Sequence, residues 1–188
     1  MAAPPSVTTA NLTGRFLLNK TLSDDSDEIL RLQGVSWFKR RAIAKLGLIL
    51  DVKHYTDEDG IEHIDIDQTL SGGITGTSEL RSLDFQERSV EDPVFGAVIG
   101  RSGKIKVNDL EGIFLKDGWT DDTIEHEAIR SIVWSDTPKS NKTWRAEQVW
   151  GFEIKDGARR YARHIKFTSP DKSDGPIHIR VYYDYLGN

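Results

Sequence analysis

The sequence predicts a mainly β protein: a closed antiparallel β-barrel with a two-helix lid inserted after the first strand. Three observations carry this. Helical patterning is confined to one passage near residues 27–46. Everything after Gly47 alternates between strand-length runs and glycine-containing turns. A meander of that length exposes two bare edges unless it closes on itself, and closure favours a barrel over an open sheet.

The elements follow in order. Residues 1–10 are small, proline-containing and uncharged apart from the terminus, and read as a disordered tail. A first strand begins near Leu12. Asp24-Asp25-Ser26-Asp27-Glu28 suits the start of a helix, where carboxylates meet the positive end of its dipole. A short helix carrying Ile29, Leu30 and Leu32 ends at Gly34, and Ser36 caps a second from Trp37 to Leu46. Phe38, Ala42, Ile43 and Leu46 supply its expected buried side. Strands are then predicted at 48–55 and 61–70, joined through Asp59-Gly60, a strong hairpin signal. Further turns fall at Ser71-Gly72-Gly73, Arg101-Ser102-Gly103, Asp117-Gly118, Asp156-Gly157 and Ser173-Asp174-Gly175-Pro176. The strands between them are 74–88, 94–100, 105–107, 124–134, 143–154, 160–167 and 177–185. No repeat or linker divides the chain, so residues 11–188 are expected to form a single domain.

Composition removes several function classes. The chain has 188 residues, no cysteine, 25 basic and 30 acidic side chains, and a formal net charge of -5. Disulfides, thiolate metal sites and a catalytic cysteine are excluded. The acidic balance argues against nucleic acid as the main partner. No apolar run approaches the ~20 residues that cross a bilayer, and residues 1–6 lack the pattern of a secretory signal. A soluble cytoplasmic protein is expected. Gly72, Gly73 and Gly76 lack the lysine and helix of a phosphate loop, and there is no Gly-x-Ser-x-Gly for a serine nucleophile. No histidine pair has metal-site spacing, so neither a metal nor a cofactor is expected.

Gly14-Arg15-Phe16 in the first strand, Leu32-Gln33-Gly34-Val35 between the two helices, and His178-Ile179-Arg180-Val181-Tyr182 in the last strand stand in a telling order. This arrangement resembles the intracellular fatty-acid-binding branch of the lipocalin-like (calycin) barrels, over about residues 12–85 and 143–186. Phe16 stands in place of the family's tryptophan, and Gln33 interrupts its Leu-Gly-Val segment. The middle, about 86–142, is longer than the family allows. The family's second basic residue, two strands before the last, has no counterpart where Trp150, Gly151 and Phe152 stand.

The resemblance implies a ligand cavity inside the barrel, with Arg180 and Tyr182 turned inward to grip an acidic or carbonyl group. His178 shares their face. Alternation alone points the other way, with Ile177, Ile179, Val181 and Tyr183 in the core and the polar set outside. Trp37, Phe38 and Ile43 are expected to close the mouth. Trp134, Trp150 and Phe152 supply large rigid surfaces for its walls. On the neighbouring strand, Tyr161 and Arg163 share one face, Arg160 and His164 the other, and alternation leaves open which faces in. Lys39, Arg40, Arg41 and Lys45 on the second helix suit transient contact with an acidic membrane surface, or simply a solvated face.

Two functions follow from this pattern. The first is binding of a hydrophobic small molecule, such as a fatty acid, terpenoid or polyketide with an acidic or carbonyl end. The alternative is a cofactor-free cyclase, isomerase or dehydratase acting on a bound terpenoid or polyketide, with His126 and Tyr182 as catalytic groups. A third reading, a barrel that only binds another protein through residues 86–142, requires a solid interior.

Overall fold

The computed structural model describes every residue except 72 and 73, so the predicted Ser71-Gly72-Gly73 turn lies partly outside the described residues. Ten strands form one antiparallel sheet: β1 (Gly14–Leu18), β2 (Leu48–Thr56), β3 (Glu62–Leu70), β4 (Ile74–Ser82), β5 (Arg88–Asp92), β6 (Gly96–Ile105), β7 (Ala128–Ser135), β8 (Arg145–Lys155), β9 (Ala158–Thr168) and β10 (Ile177–Gly187). Their order is β4-β3-β2-β1-β10-β9-β8-β7-β6-β5. The sheet curls strongly, bringing its β4 edge round towards β6. The chain leaving β4 bridges β6 at Asp84 and Gly103, and Phe85 N–H donates to the Ser102 carbonyl at 2.8 Å.

Between β1 and β2 lie α1 (Asp27–Leu32) and α2 (Trp37–Lys45), the predicted helix pair. Ser36 caps α2 by accepting from Lys39 N–H at 3.5 Å. The two helices differ in packing. Ile29 and Leu32 of α1 are buried against Trp144, Phe167 and Ile179, whereas no residue of α2 is buried. Peripheral contacts hold α2: Lys39 to the Pro93 carbonyl, Arg40 to Asp27, and Lys20 to the carbonyls of Ile43 and Ala44.

The residues between β4 and β8 divide their work. They supply β5, β6 and β7 to the barrel, and α3 (Ile113–Lys116) and α4 (Asp121–Glu125) to its outer wall. A further short helix, α5 (Thr137–Ser140), joins β7 to β8. Val107, Leu110, Leu115 and Trp119 pack on Ala128, Val149, Ala162 and Tyr182. Gly151 makes the fit: a Cβ there would stand 2.4 Å from Thr123 and 2.9 Å from Trp119.

Three boundary expectations change. The run 74–88 divides into β4 and β5, while 94–100 and 105–107 join as β6, with Arg101-Ser102-Gly103 inside the strand. Gly103 marks close packing there, since a Cβ would lie 2.2 Å from the Phe85 ring. Strand 124–134 begins four residues later, because α4 occupies 121–125 and Glu127 turns the chain with φ 65°. Residues 1–10 are not a loose tail. Ala3 and Val7 are buried in the barrel floor, and Ala3 N–H donates to the Arg159 carbonyl at 2.8 Å. Arg159 returns hydrogen bonds to the carbonyls of Pro4 and Val7. Among the described residues, no helix is long and apolar enough to cross a membrane.

Candidate functional site inside the barrel

Strand register fixes which side chains face inward. Phe16 opposes Leu50 and Tyr185, Tyr161 opposes Tyr183 and Phe152, and Trp150 opposes Arg163 and Ile129. Two-residue alternation then assigns every other residue of each strand. The interior is layered. At the floor, Phe16, Leu50, Val52, Ile64, Ile66, Ile129, Phe152, Tyr161 and Tyr183 are buried in one cluster. At the α1 end, Val98, Ala146, Phe167 and Ile179 are buried with Trp144 under Ile29 and Leu32. Between these layers runs a girdle of inward side chains that retain partial exposure: Leu18, Leu48, Gln68, Glu79, Val133, Gln148, Ile165 and Val181, one from each of eight strands. A barrel filled solid would bury that girdle as completely as its neighbours.

Two polar residues of the girdle, Gln68 and Glu79, belong to one hydrogen-bonded network. Arg81 donates to Glu79 from Nε at 3.0 Å and from Nη2 at 2.6 Å, and reaches Ser131 Oγ on β7 from Nη1 at 2.9 Å. Gln68 Nε2 donates to the other Glu79 oxygen at 2.5 Å. Burial pushes the Glu79 carboxyl up, but the charges of Arg81 and Arg163 and these hydrogen bonds outweigh it and hold the group below its ordinary range. Trp150 Nε1 donates to Gln148 Oε1 at 3.0 Å, which fixes the indole.

Arg163 sits at the centre, 6% exposed. Its guanidinium carbon lies 4.1 Å from the Trp150 ring centroid and 5.5 Å from those of Tyr161 and Tyr183. Nε donates to the Tyr161 hydroxyl at 2.9 Å. Nη2 is buried and has no hydrogen-bond partner among the described residues. A buried guanidinium keeps its charge, and an unmet donor on it is costly. Burial pushes the Tyr161 phenol up, against the lowering effect of Arg163, so it stays protonated at neutral pH. The only hydrogen bond at that hydroxyl among the described residues is the one it accepts from Arg163, so its own proton is free to be donated. Two donors on adjacent inward positions of β9 can thus converge on one oxygen.

A second polar group lies near the floor. His54 Nδ1 accepts from Leu12 N–H at 3.0 Å, and its Nε2 donates to Glu62 at 2.7 Å. Glu62 also pairs with Lys104 at 2.7 Å.

Only part of the predicted site is assembled here. Trp150 and Phe152 face inward. His178, Arg180 and Tyr182 face outward, because the apolar set Ile177, Ile179, Val181 and Tyr183 takes the interior of β10. The 107–126 segment covers Tyr182 and borders Arg180, giving this polar face its own partners. His164 Nδ1 donates to the Phe114 carbonyl at 3.0 Å, and Nε2 meets Glu153 at 2.9 Å. Trp119 stacks on that imidazole at 4.0 Å. Burial raises the Glu153 carboxyl, but hydrogen bonds from His164 and Tyr182 and the charges of His164 and Arg180 hold it low. Arg180 stands 3.6 Å from Asp117 and 3.8 Å from Glu153, and His178 meets Phe114 at 4.7 Å.

The remaining expectations also move. Trp134 faces outward into a surface groove with Thr137, Thr143 and Arg145. His126 ends α4 instead of lying among apolar strand neighbours. Trp37 and Phe38 do not close the mouth. They are 54% and 79% exposed, in edge-to-face contact with each other, while Ile43 is partly buried. The inward Gln68, Glu79, Arg81, Ser131 and Gln148 are not among the residues the sequence singles out. The alternation Glu79-Leu80-Arg81 and the pairing of Tyr161-x-Arg163 with the last strand were the available signals.

No protein-family model matches the chain. It is 28% identical over 189 residues to a probable pericyclase, scpY, of Mollisia scopiformis, covering 99% of this chain and 95% of that one. It is 27% identical over 190 residues to the pericyclase pydY of an Acremonium species, covering 100% and 98%. A fatty acid binding protein of Schistosoma mansoni, solved in complex with arachidonic acid, superposes with a TM-score of 0.52 at 12% identity, covering 93% of this chain and 96% of that one. The chain has a fatty-acid-binding-protein-like β-barrel fold.

Proposed function

We propose that this protein is a cofactor-free cyclase of the pericyclase kind, which folds an unsaturated, carbonyl-bearing hydrophobic substrate inside the barrel. The observation that carries the reading is Arg163: a buried, inward cation with an unmet donor, framed by aromatic rings beside a girdle of partly exposed apolar side chains. Full-length similarity to two pericyclases supports it. A pericyclic ring closure needs no nucleophile and no net proton transfer. What a protein contributes is a bound conformation that brings the reacting carbons together, and hydrogen bonds that draw electron density into a carbonyl as bonds form. Arg163 Nη2 and the Tyr161 hydroxyl would supply those hydrogen bonds. Leu18, Leu48, Val133, Ile165 and Val181 would wrap the carbon skeleton, and Trp150, stacked on the guanidinium, would hold Arg163 in place.

The test is to extract the compound that co-purifies with the protein, or an unsaturated acyl precursor from the producing cells, and return it to purified protein. A product of unchanged mass but new retention, formed faster than without protein, is the expected outcome. Return of the compound unchanged would replace the enzyme reading with that of a carrier, which the fold itself favours. On either reading α2, none of whose residues is buried, is left available for a surface contact. Exposed Trp37 and Phe38, with Lys39, Arg41 and Lys45, suit a helix that touches an anionic membrane surface while ligand enters; Arg40 is held by Asp27 instead.

A further inference from the structure

The layering of the interior limits the shape of what it holds. On β10 the floor residue Tyr183 and the ceiling residue Ile179 are both buried, and the inward residue between them, Val181, is partly exposed. On β9 Arg163 and Phe167 are buried and Ile165 between them is partly exposed. Four residues of strand span roughly 13 Å. On the side of β8–β10 the accessible interior is therefore a short chamber at mid-height, closed below by Phe16, Phe152, Tyr161 and Tyr183 and above by Phe167, Ile179 and α1. Partial exposure at this level recurs on eight strands around the barrel, so the space extends sideways more than along the strands. A wide, shallow chamber accepts a bulky folded body better than a long extended chain.

We infer that the chamber selects compact, folded or polycyclic hydrophobic molecules with one oxygen-bearing end at Arg163, and rejects extended long-chain acids. This rests on the interior site proposed above and names the shape class of its ligand. Each methylene that enters apolar surroundings should strengthen binding roughly fourfold. A straight chain stops gaining once the chamber is full, since further carbons remain in water or push against the floor.

The experiment is displacement of 1-anilinonaphthalene-8-sulfonate from the intact protein by straight-chain carboxylates of eight to eighteen carbons, and by abietic acid, a tricyclic carboxylic acid of twenty carbons. Affinity is expected to rise through the short acids, level off before eighteen carbons, and be at least tenfold higher for abietic acid than for octadecanoate. Phe152→Ala, which opens the floor, should selectively improve octadecanoate. The wild-type series stands alone if that variant does not fold. A continuous rise to octadecanoate, with abietic acid weaker, would overturn the inference while leaving the interior site in place. Displacement that survives in Arg163→Met with every acid undiminished would instead remove the site, and the inference with it.

Discussion

Arg163 and Tyr161 sit two residues apart on the inward face of β9, and the guanidinium Nε donates to the phenol oxygen at 2.9 Å. This leaves Arg163 Nη2 and the Tyr161 proton without an acceptor among the described residues. A hydrogen bond from a charged donor to a buried oxygen contributes about 1.5–3 kcal/mol. Arg163→Met should therefore weaken binding of the co-purifying compound by roughly 10- to 100-fold, and Tyr161→Phe by less. Arg163→Lys should recover only part, because an ammonium cannot hold Tyr161 and a ligand in one planar fork. Titration calorimetry with the extracted compound, beside circular dichroism to verify folding, measures the difference.

The polar face of β10 makes the converse prediction. Arg180 and His178 lie outside the barrel, against Asp117 and Phe114. Arg180→Ala should leave ligand affinity within about twofold. His164→Ala should act differently. It removes the buried hydrogen-bond partner of Glu153 and the surface on which Trp119 stacks, and a buried group left without its partner costs about 1–3 kcal/mol. Hydrogen exchange in residues 107–126 should accelerate in that variant, and a large affinity loss in Arg180→Ala would return the site to the last strand.

These two strands also define what the sequence discloses. The helix pair and the meander were legible because Ser36, Gly34 and Asp59-Gly60 act locally. The facing of β10 was legible too, from the apolar run at 177, 179, 181 and 183, but the family's inward Arg-x-Tyr argued against it. Alternation prevailed because the 107–126 segment gives the polar face buried partners, and that cover is formed by residues far away in sequence. The interior network was hidden for the same reason. Glu79, Arg81 and Ser131 meet only where β4 and β7 approach across the closure. Gly103 resembled a turn glycine, and only the Phe85 ring above it reveals packing as its cause.

Glu79 and Arg81 test that network. Glu79→Gln leaves the Arg81 and Arg163 cations without a carboxylate. Both members of the pair retain some exposure, so the expected loss is about 2 kcal/mol, below that of a fully buried pair. The double variant Glu79→Gln, Arg81→Met should recover most of it. Urea denaturation of the four proteins gives the coupling directly, and full additivity would contradict the pairing.

The lid helix predicts a surface interaction. Sedimentation with vesicles containing one-third phosphatidylserine should retain the protein at low salt and release it near physiological ionic strength. Neutral phosphatidylcholine vesicles should not retain it. Replacing Trp37 and Phe38 by Ser should abolish retention without altering ligand affinity, since both side chains point into solvent. Equal retention by neutral vesicles would remove the role of Lys39, Arg41 and Lys45.

His54 sets a pH limit on the floor of the barrel. Its Nδ1 accepts from Leu12 N–H, so protonation would place two donors face to face and break the contact. Burial is the main cause of its lowered pKa, only partly offset by the hydrogen bond and charge of Glu62. The unfolded chain, with an ordinary histidine pKa near 6.5, then binds the proton more readily than the folded one. Stability from this residue is fully present above that pKa and is lost as pH falls through it towards the lower folded value. The urea midpoint should thus decline below about pH 6.5, more steeply than in His54→Asn, where the titrating group is gone. Coincident pH profiles for the two proteins would show that Leu12 does not depend on a neutral imidazole.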